Sequence, residues 1–250
     1  WLSENSVNVS LKSQDDLNLH AAYIDQNSHI YMIMVHGYRG DGASIISPIK
    51  QMKKAGYNLL IPDLRGHGFS EGDYIGMGWD DREDIIQWID YLLSKDPHAS
   101  IILYGVSMGG ATVMDVAGEK LPHQVKAIIE DCGYTSVWDI FASELDKRFS
   151  LPTFPVLDIS NMVASLKAGY NFKKASSIEQ LKKSKQPMLF IHGGKDDFVP
   201  TDMVYQNYDA TKSVKDIYIV EKAGHAESKD YNPQEYWNKV FQFINTKIRS

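Results

Sequence analysis

The sequence predicts an α/β fold, a mostly parallel sheet of about eight strands with helices on both faces. Three observations predict it. Short apolar runs alternate with longer segments of 3.6-residue periodicity along most of the chain, the pattern of strand–helix–strand crossovers. Runs such as Ile30-Tyr31-Met32-Ile33-Met34-Val35 are almost continuously apolar, which suits strands covered on both sides. The first two runs instead alternate polar and apolar residues, as a hairpin with one buried face does.

That hairpin comprises Val7 to Leu11 and Leu17 to Ile24, with Gln14-Asp15-Asp16 between them. A buried strand follows from His29 to Val35 and runs directly into His36-Gly37-Tyr38-Arg39-Gly40. Ser44 to Ala55 reads as a helix stopped by Gly56. Tyr57 to Ile61 is a strand, and the glycine-rich loop from Pro62 to Ser70 follows it. Trp79 to Ser94 places Ile85, Trp88, Ile89 and Leu92 on one helical face. Ile101 to Tyr104 is a strand that enters Gly105-Val106-Ser107-Met108-Gly109, followed by a helix-compatible run. Val125 to Ile129 is another buried strand.

The alternation then pauses. Residues 132–183 carry no strand signal but many aromatic residues. Val137 to Arg148 reads as a helix, and Pro152 and Pro155 break the middle of the segment. The expectation is a small helical lid inserted after the sixth strand, with residues 1–131 and 184–250 forming one core. The alternation resumes with a strand at Met188 to Ile191, a helix at Asp202 to Ala210 and a strand at Asp216 to Val220. The last helix, from about Pro233 to Ile248, sets Trp237, Val240, Phe241 and Ile244 on one face.

Composition narrows the function. The 250 residues are 43% hydrophobic and 23% charged, with a net charge of −6. No Lys/Arg cluster exceeds a pair, which argues against nucleic-acid binding. No apolar run approaches the roughly 20 residues of a membrane span. A single cysteine, Cys132, rules out an internal disulfide and reads as a small buried residue. The chain starts at Trp1, which fits a removed signal peptide, a clipped membrane anchor or an artificial boundary.

The chemistry gathers at strand ends. Ligands of open α/β sheets bind at the carboxyl ends of the strands, and Gly37-Tyr38, Ser107, Asp196 and His225 each follow one. Gly-x-Ser-x-Gly between a strand and a helix puts Ser107 on a sharp, strained turn, where larger residues in place of Gly105 and Gly109 would collide with neighbours. A serine hydroxyl needs a base to attack a carbonyl. Of eight histidines, His225 is the best placed, on the loop after the last strand. The imidazole needs an acid on its other nitrogen. Asp196 is the first candidate, with Asp197 and Asp131 as rivals. The amides of Met108 and Tyr38 are the candidate oxyanion donors. His36 and His67 match no common zinc spacing, and they read as structural, as do Asp63 and Arg65.

Taken together, His36-Gly37, Asp63-x-Arg65-Gly66-His67-Gly68-x-Ser70, Gly105-x-Ser107-x-Gly109, His192-Gly193-x-x-Asp196-x-x-Val199-Pro200 and Gly224-His225 resemble the α/β-hydrolase superfamily. Within it they resemble bacterial carboxylesterases and the serine-aminopeptidase-like cell-surface hydrolases. Cys132-Gly133-Tyr134-Thr135-Ser136 is similar to the latter group as well. The likeness spans nearly the whole chain. It implies catalytic Ser107, Asp196 and His225, and oxyanion amides from Tyr38 and Met108. Members of the cell-surface group often carry an amino-terminal membrane anchor, which makes the cell surface one expected location and the cytoplasm the other.

The leading expectation is hydrolysis of small or medium carboxylic esters through an acyl-enzyme, with no metal or organic cofactor and a small-molecule ester as the partner. An aminopeptidase, a thioesterase or a perhydrolase would use the same three residues. For a peptidase, Glu144 and Asp146 could hold a substrate amino terminus. A non-catalytic surface protein is the reading from another class, and the complete Ser107, Asp196 and His225 set stands against it. Trp138 and Phe141 are the expected pocket-lining residues of the lid, which is too short for a large interfacial cap.

Overall fold

The computed structural model describes residues 1–248. A short helix α1 (Leu2–Asn5) leads into the antiparallel hairpin β1 (Val7–Lys12) and β2 (Asn18–Ile24). Then follow β3 (Ile30–Val35), a 3-10 turn (Gly42–Ile45), α2 (Ile46–Lys54), β4 (Asn58–Pro62), α3 (Asp81–Lys95), β5 (Ser100–Val106), α4 (Met108–Ala117) and β6 (Val125–Asp131). Three helices come next: α5 (Val137–Phe149), α6 (Val156–Lys167) and α7 (Ser177–Leu181). The chain ends with β7 (Met188–Gly193), α8 (Asp202–Ala210), β8 (Lys215–Val220), α9 (Ser228–Tyr231) and α10 (Pro233–Ile248).

The eight strands form one sheet in the order β1-β2-β4-β3-β5-β6-β7-β8. β2 pairs antiparallel with β4, and every pairing from β4 onward is parallel. The chain steps from β3 outward to β4, then returns to lay β5 on the other side of β3. The winding therefore reverses between β3 and β5, where a crevice opens at the carboxyl ends of the strands. Gly37-Tyr38 and Ser107 flank it.

Alternating residues feed two cores. Ile101 and Leu103 of β5 face the layer built by Ile85, Trp88, Ile89 and Leu92 of α3 and by α4. Ile102 and Tyr104 face Ile49 and Met52 of α2 and the inner stripe of α10. β4 and β7 are buried along their whole length, which explains the dense apolar runs Leu59-Leu60-Ile61 and Met188-Leu189-Phe190-Ile191 within them. Along α10 the buried stripe is Tyr236, Trp237, Val240, Phe243 and Ile244. Phe241, expected on this face, is only partly buried, because Phe243, three residues beyond Val240, takes the inward position.

The segment between β6 and β7 is helical and differs from expectation in extent. Ser136 and Ser176 form an isolated antiparallel bridge that closes its neck. Beyond the neck, α7 packs on α4, and Leu181 is fully buried. Only α5 and α6 stand away from the sheet layers. Ser136 caps α5 by accepting from the Asp139 amide at 3.0 Å, and Ser150 ends α5 in the left-handed region. Pro152 and Pro155 lie in the break between α5 and α6, and Pro155 immediately precedes α6.

Candidate active site

Ser107 sits between β5 and α4 with φ 58° and ψ −118°, a strained conformation for a residue with a side chain. The strain is fixed by close packing on both sides. A Cβ on Gly105 would overlap the Gly109 carbonyl, and one on Gly109 would overlap the Val35 carbonyl. Glycine at both positions lets β5, α4 and β3 converge, and the hydroxyl is pushed up into the crevice.

His225 Nε2 lies 2.8 Å from Ser107 Oγ. Its Nδ1 lies 2.7 Å from Asp196 Oδ2. The other carboxylate oxygen, Oδ1, accepts from the amides of Phe198 at 2.9 Å and Val199 at 2.8 Å. His192 Nε2 approaches Oδ2 at 3.3 Å and the Val199 carbonyl at 3.0 Å. Burial pushes the Asp196 carboxyl up, but the hydrogen bonds and charges of His192 and His225 outweigh it and hold the group well below the usual carboxylate range. Asp196 is thus a buried anion directed at one nitrogen of His225. That fixes the tautomer in which Nε2 is free to take a proton from Ser107.

The two rival carboxylates are elsewhere. Asp131 Oδ2 accepts from the Tyr236 hydroxyl at 2.7 Å, and that hydroxyl also meets Tyr104 at 2.8 Å. Asp131 serves the site through its backbone, since its carbonyl accepts from the Ser107 amide at 2.8 Å. The carbonyl of Asp197 accepts from Lys147 Nζ at 2.7 Å, and its side chain makes no hydrogen bond to His225.

Tyr38, on the loop after β3, lines the same cavity as Ser107, and Met108 follows Ser107 as the first residue of α4. Neither amide donates to a protein acceptor among the described residues. Met108 opens α4, so its N–H is one that a helix leaves without an internal partner. The loop carrying Tyr38 is held by two histidines. His36 Nε2 accepts from the Leu64 amide at 3.1 Å, which leaves the proton on Nδ1 to donate to the Gly37 carbonyl at 2.8 Å. His67 accepts from the Arg39 amide at 3.1 Å and faces the Arg65 carbonyl at 2.9 Å. Burial lowers the His36 imidazole, consistent with a neutral ring. The two histidines thus fix the peptides on either side of Tyr38.

Asp63 and Arg65 hold the neighbouring loop. Asp63 accepts from the Phe69 amide at 3.0 Å and meets His20 at 3.0 Å. Arg65 bridges Asp15, at 2.6 and 2.9 Å, and Asp84, at 2.8 Å.

A cavity of about 310 Å³ lies above Ser107, lined by Gly37, Tyr38, Ile45, Val106, Phe198, Ala226 and their neighbours. Phe198, whose ring centroid is 4.9 Å from that of His225, has no motif to mark it in the sequence; its only signal is its position two residues after Asp196. Trp138 and Phe141 do not line the cavity. Phe141 packs edge-on against Phe172 at 5.0 Å, and Trp138 lies under Lys173 at 3.9 Å. Both face the core of the α5–α6 segment because α5 reaches the site only at its carboxyl end, where Arg148 lies 5.6 Å from the Phe198 ring. Glu144 is paired with Arg148, and neither it nor Asp146 lines the cavity.

Cys132, Asp196 and His225 bring donor atoms within 4.8 Å of one another. The His225 and Asp196 atoms are already paired, and burial pushes the Cys132 thiol far up, away from the thiolate a metal needs. The cluster is accounted for by hydrogen bonding.

Known proteins share this arrangement of elements. The family model described as serine aminopeptidase, S33, matches residues 26–154, just over half of the chain. An uncharacterised Bacillus subtilis protein, YqkD, is 28% identical over 215 residues, covering 86% of this chain and 70% of its own. A thermostable monoacylglycerol lipase from Bacillus sp. (strain H-257) is 22% identical over 254 residues, 88% of this chain and 92% of that protein. Among solved structures, an esterase of Pyrococcus furiosus superposes with a TM-score of 0.81 at 22% identity, covering 98% of this chain and 92% of its own. The sheet order, the strand-to-helix turn and the matched sequence model agree: the chain belongs to the serine aminopeptidase S33 family, within the α/β-hydrolase superfamily of serine hydrolases.

Proposed function

We propose that this hydrolase cleaves carboxylic esters with small to medium acyl chains through an acyl-enzyme on Ser107. The observation that carries the reading is the unbroken hydrogen-bond chain from Ser107 through His225 to Asp196 at the floor of a cavity. Ser107 Oγ attacks the ester carbonyl while His225 Nε2 takes its proton. The negative charge on the carbonyl oxygen is met by the Tyr38 and Met108 amides. The alcohol departs with the proton from Nε2. Water then attacks the acyl group, again with His225 as base, and the acid leaves.

The cavity lining favours an ester over a peptide with a free amino terminus. It contains no carboxylate to receive an ammonium group, and Ile45, Val106, Phe198 and Ala226 give it an apolar wall. The esterase and lipase names among the relatives support the same class. The α5–α6 segment is the proposed cover, since Lys147 and Arg148 at the end of α5 reach over Asp197 and Phe198.

The test pairs a fluorophosphonate probe with chromogenic esters of graded chain length and an aminoacyl anilide. Native protein is expected to take up the probe and turn over short esters, and Ser107→Ala to do neither while keeping its fold. Losing the nucleophile typically costs about 10⁴–10⁶ in rate. Faster turnover of the anilide than of any ester would replace this reading with the peptidase one.

A further inference from the structure

The outer face of α6 is apolar and uncovered. Among the described residues sixteen large apolar side chains are exposed, and eight of them fall between residues 149 and 166. Val156, Ile159, Met162, Val163 and Leu166 follow one another at spacings of three, one and three or four, which places them within about a third of the helix circumference. Leu166 is 79% exposed. The opposite, inner arc carries Leu157, Asn161, Ala164 and Ser165, and Asn161 Oδ1 and Ser165 Oγ there serve the 170–172 loop. The helix therefore turns its more apolar face to solvent, against the usual pattern for a surface helix. Phe149 and Phe154 extend the patch across the α5–α6 connection, at 66% and 73% exposure. An apolar cleft of about 300 Å³ between α5 and α6, lined by Phe141, Leu145, Phe149 and Leu157, opens beside it. Clustered apolar exposure of this kind marks a docking surface.

Charge identifies what docks. From Val137 to Lys174 there are five cationic and four acidic side chains, but three of the acids, Asp139, Glu144 and Asp146, belong to α5; from residue 149 onward, where the patch lies, Lys167, Lys173 and Lys174 face the single acid Asp158, a net of +2 in a chain whose total is −6. Lys173 is paired with Asp158 at 3.1 Å, and Arg148 with Glu144. Lys147, Lys167 and Lys174 have no carboxylate partner among the described residues. An apolar helical face rimmed by lysines is complementary to the headgroup region of an anionic bilayer. A second copy of the chain would bring two positive rims together.

We propose that the outer face of α6, with Phe149 and Phe154, seats on an anionic lipid surface. The short length of the segment, which at the level of sequence spoke against an interfacial cap, is offset by the direction its apolar face points. Docking stands apart from the ester reading. It is measured in Ser107→Ala as well as in native protein, so a failure of catalysis and a failure of binding are separate results.

Cosedimentation is run with vesicles of phosphatidylcholine and phosphatidylglycerol in equal parts, and with phosphatidylcholine alone. Native protein and Ser107→Ala are expected to partition onto the anionic vesicles and to release at roughly 0.5 M salt, where screening shortens to a few ångströms. The Ile159→Asp/Leu166→Asp pair and the Lys167→Glu/Lys174→Glu pair are each expected to lower partitioning about tenfold or more. Both pairs should keep native circular dichroism and the turnover of a short soluble ester. The inference is overturned if native protein ignores anionic vesicles, if it binds both vesicle types alike at all salt concentrations, or if the variants bind as native protein does. Sedimentation velocity showing a dimer that Ile159→Asp/Leu166→Asp dissolves, without vesicle binding, would give the face to a second copy and overturn it too.

Discussion

Asp196, Asp197 and Asp131 all lie at or just beyond the end of a strand of the parallel half of the sheet, and a sequence cannot say which carboxylate turns toward His225. Side-chain direction decides it. Asp196 is gripped by the Phe198 and Val199 amides, which aim its free oxygen at Nδ1, whereas Asp131 is turned into the core by Tyr236. In the proposed mechanism Asp196→Asn would offer Nδ1 an amide that can stabilise the wrong tautomer. Its kcat is expected to fall on the order of 10³–10⁴, and Asp197→Asn to stay close to native. Rates for a short chromogenic ester compare the two directly; equal losses would mean that the acid acts from elsewhere. What sequence could supply was proximity to a sheet edge, because Asp131 ends β6 and Asp196 and Asp197 lie just beyond the end of β7. It could not supply the roles of Phe198 or His192, whose orientations depend on how the loop at 194–200 folds back over β7.

At the scale of elements, legibility followed periodicity. The hairpin, β3 to β8, α3 and α10 carry long or dense apolar patterns, and each was readable because its pattern matches its burial. α6 was not, since its apolar side faces outward and two prolines precede it; nor was α7, a single turn and a half whose place is set by packing on α4. Trp138 and Phe141 read as pocket residues because aromatics in a segment above a serine have two destinations, and only the direction of α5 separates them. One element-level contact is open to test. Arg65 ties the loop after β4 to the β1–β2 turn through Asp15 and to α3 through Asp84, while its backbone amide donates to Asp81 at 2.9 Å. Its side chain is 11% exposed. Arg65→Ala would strand the buried Asp84 carboxylate, and removing one partner of a buried pair costs about 3–5 kcal/mol. The expected outcome is a lower denaturant midpoint with kcat for a short ester near native at low temperature. A large loss of kcat in a fully folded variant would give Arg65 a chemical role.

For the whole molecule, the acids in the interior set a pH dependence that opposes the usual one. Burial pushes Glu130 up to about 8, and Asp81 and Asp115 up to about 7. Glu130 Oε1 and Asp115 Oδ1 have no hydrogen-bond partner. In the unfolded chain these groups ionise in the ordinary carboxylate range. Between there and their folded values the native state holds more protons than the unfolded one, so stability falls as pH rises. The loss runs from about pH 4.5 to about pH 8 and is complete above it. Asp196 has the opposite sign: held low in the fold, it contributes stability that is lost only as pH falls below the ordinary carboxylate range. The two opposing trends place the stability maximum on the acidic side of neutral. Thermal unfolding at pH 5, 6.5 and 8 is expected to show a melting temperature that declines with pH, by an amount reflecting a few kcal/mol at roughly 2–4 °C per kcal/mol for a chain of this size. Glu130→Gln removes one of the three contributions and should flatten the slope, with the Gly133 amide still bonded to the side-chain oxygen that replaces Oε2, which it now meets at 2.8 Å. A melting temperature that rises from pH 5 to pH 8, or a slope unchanged in Glu130→Gln, would show that these acids ionise in the fold without cost, and that the interior around β6 is more polar than its side chains make it.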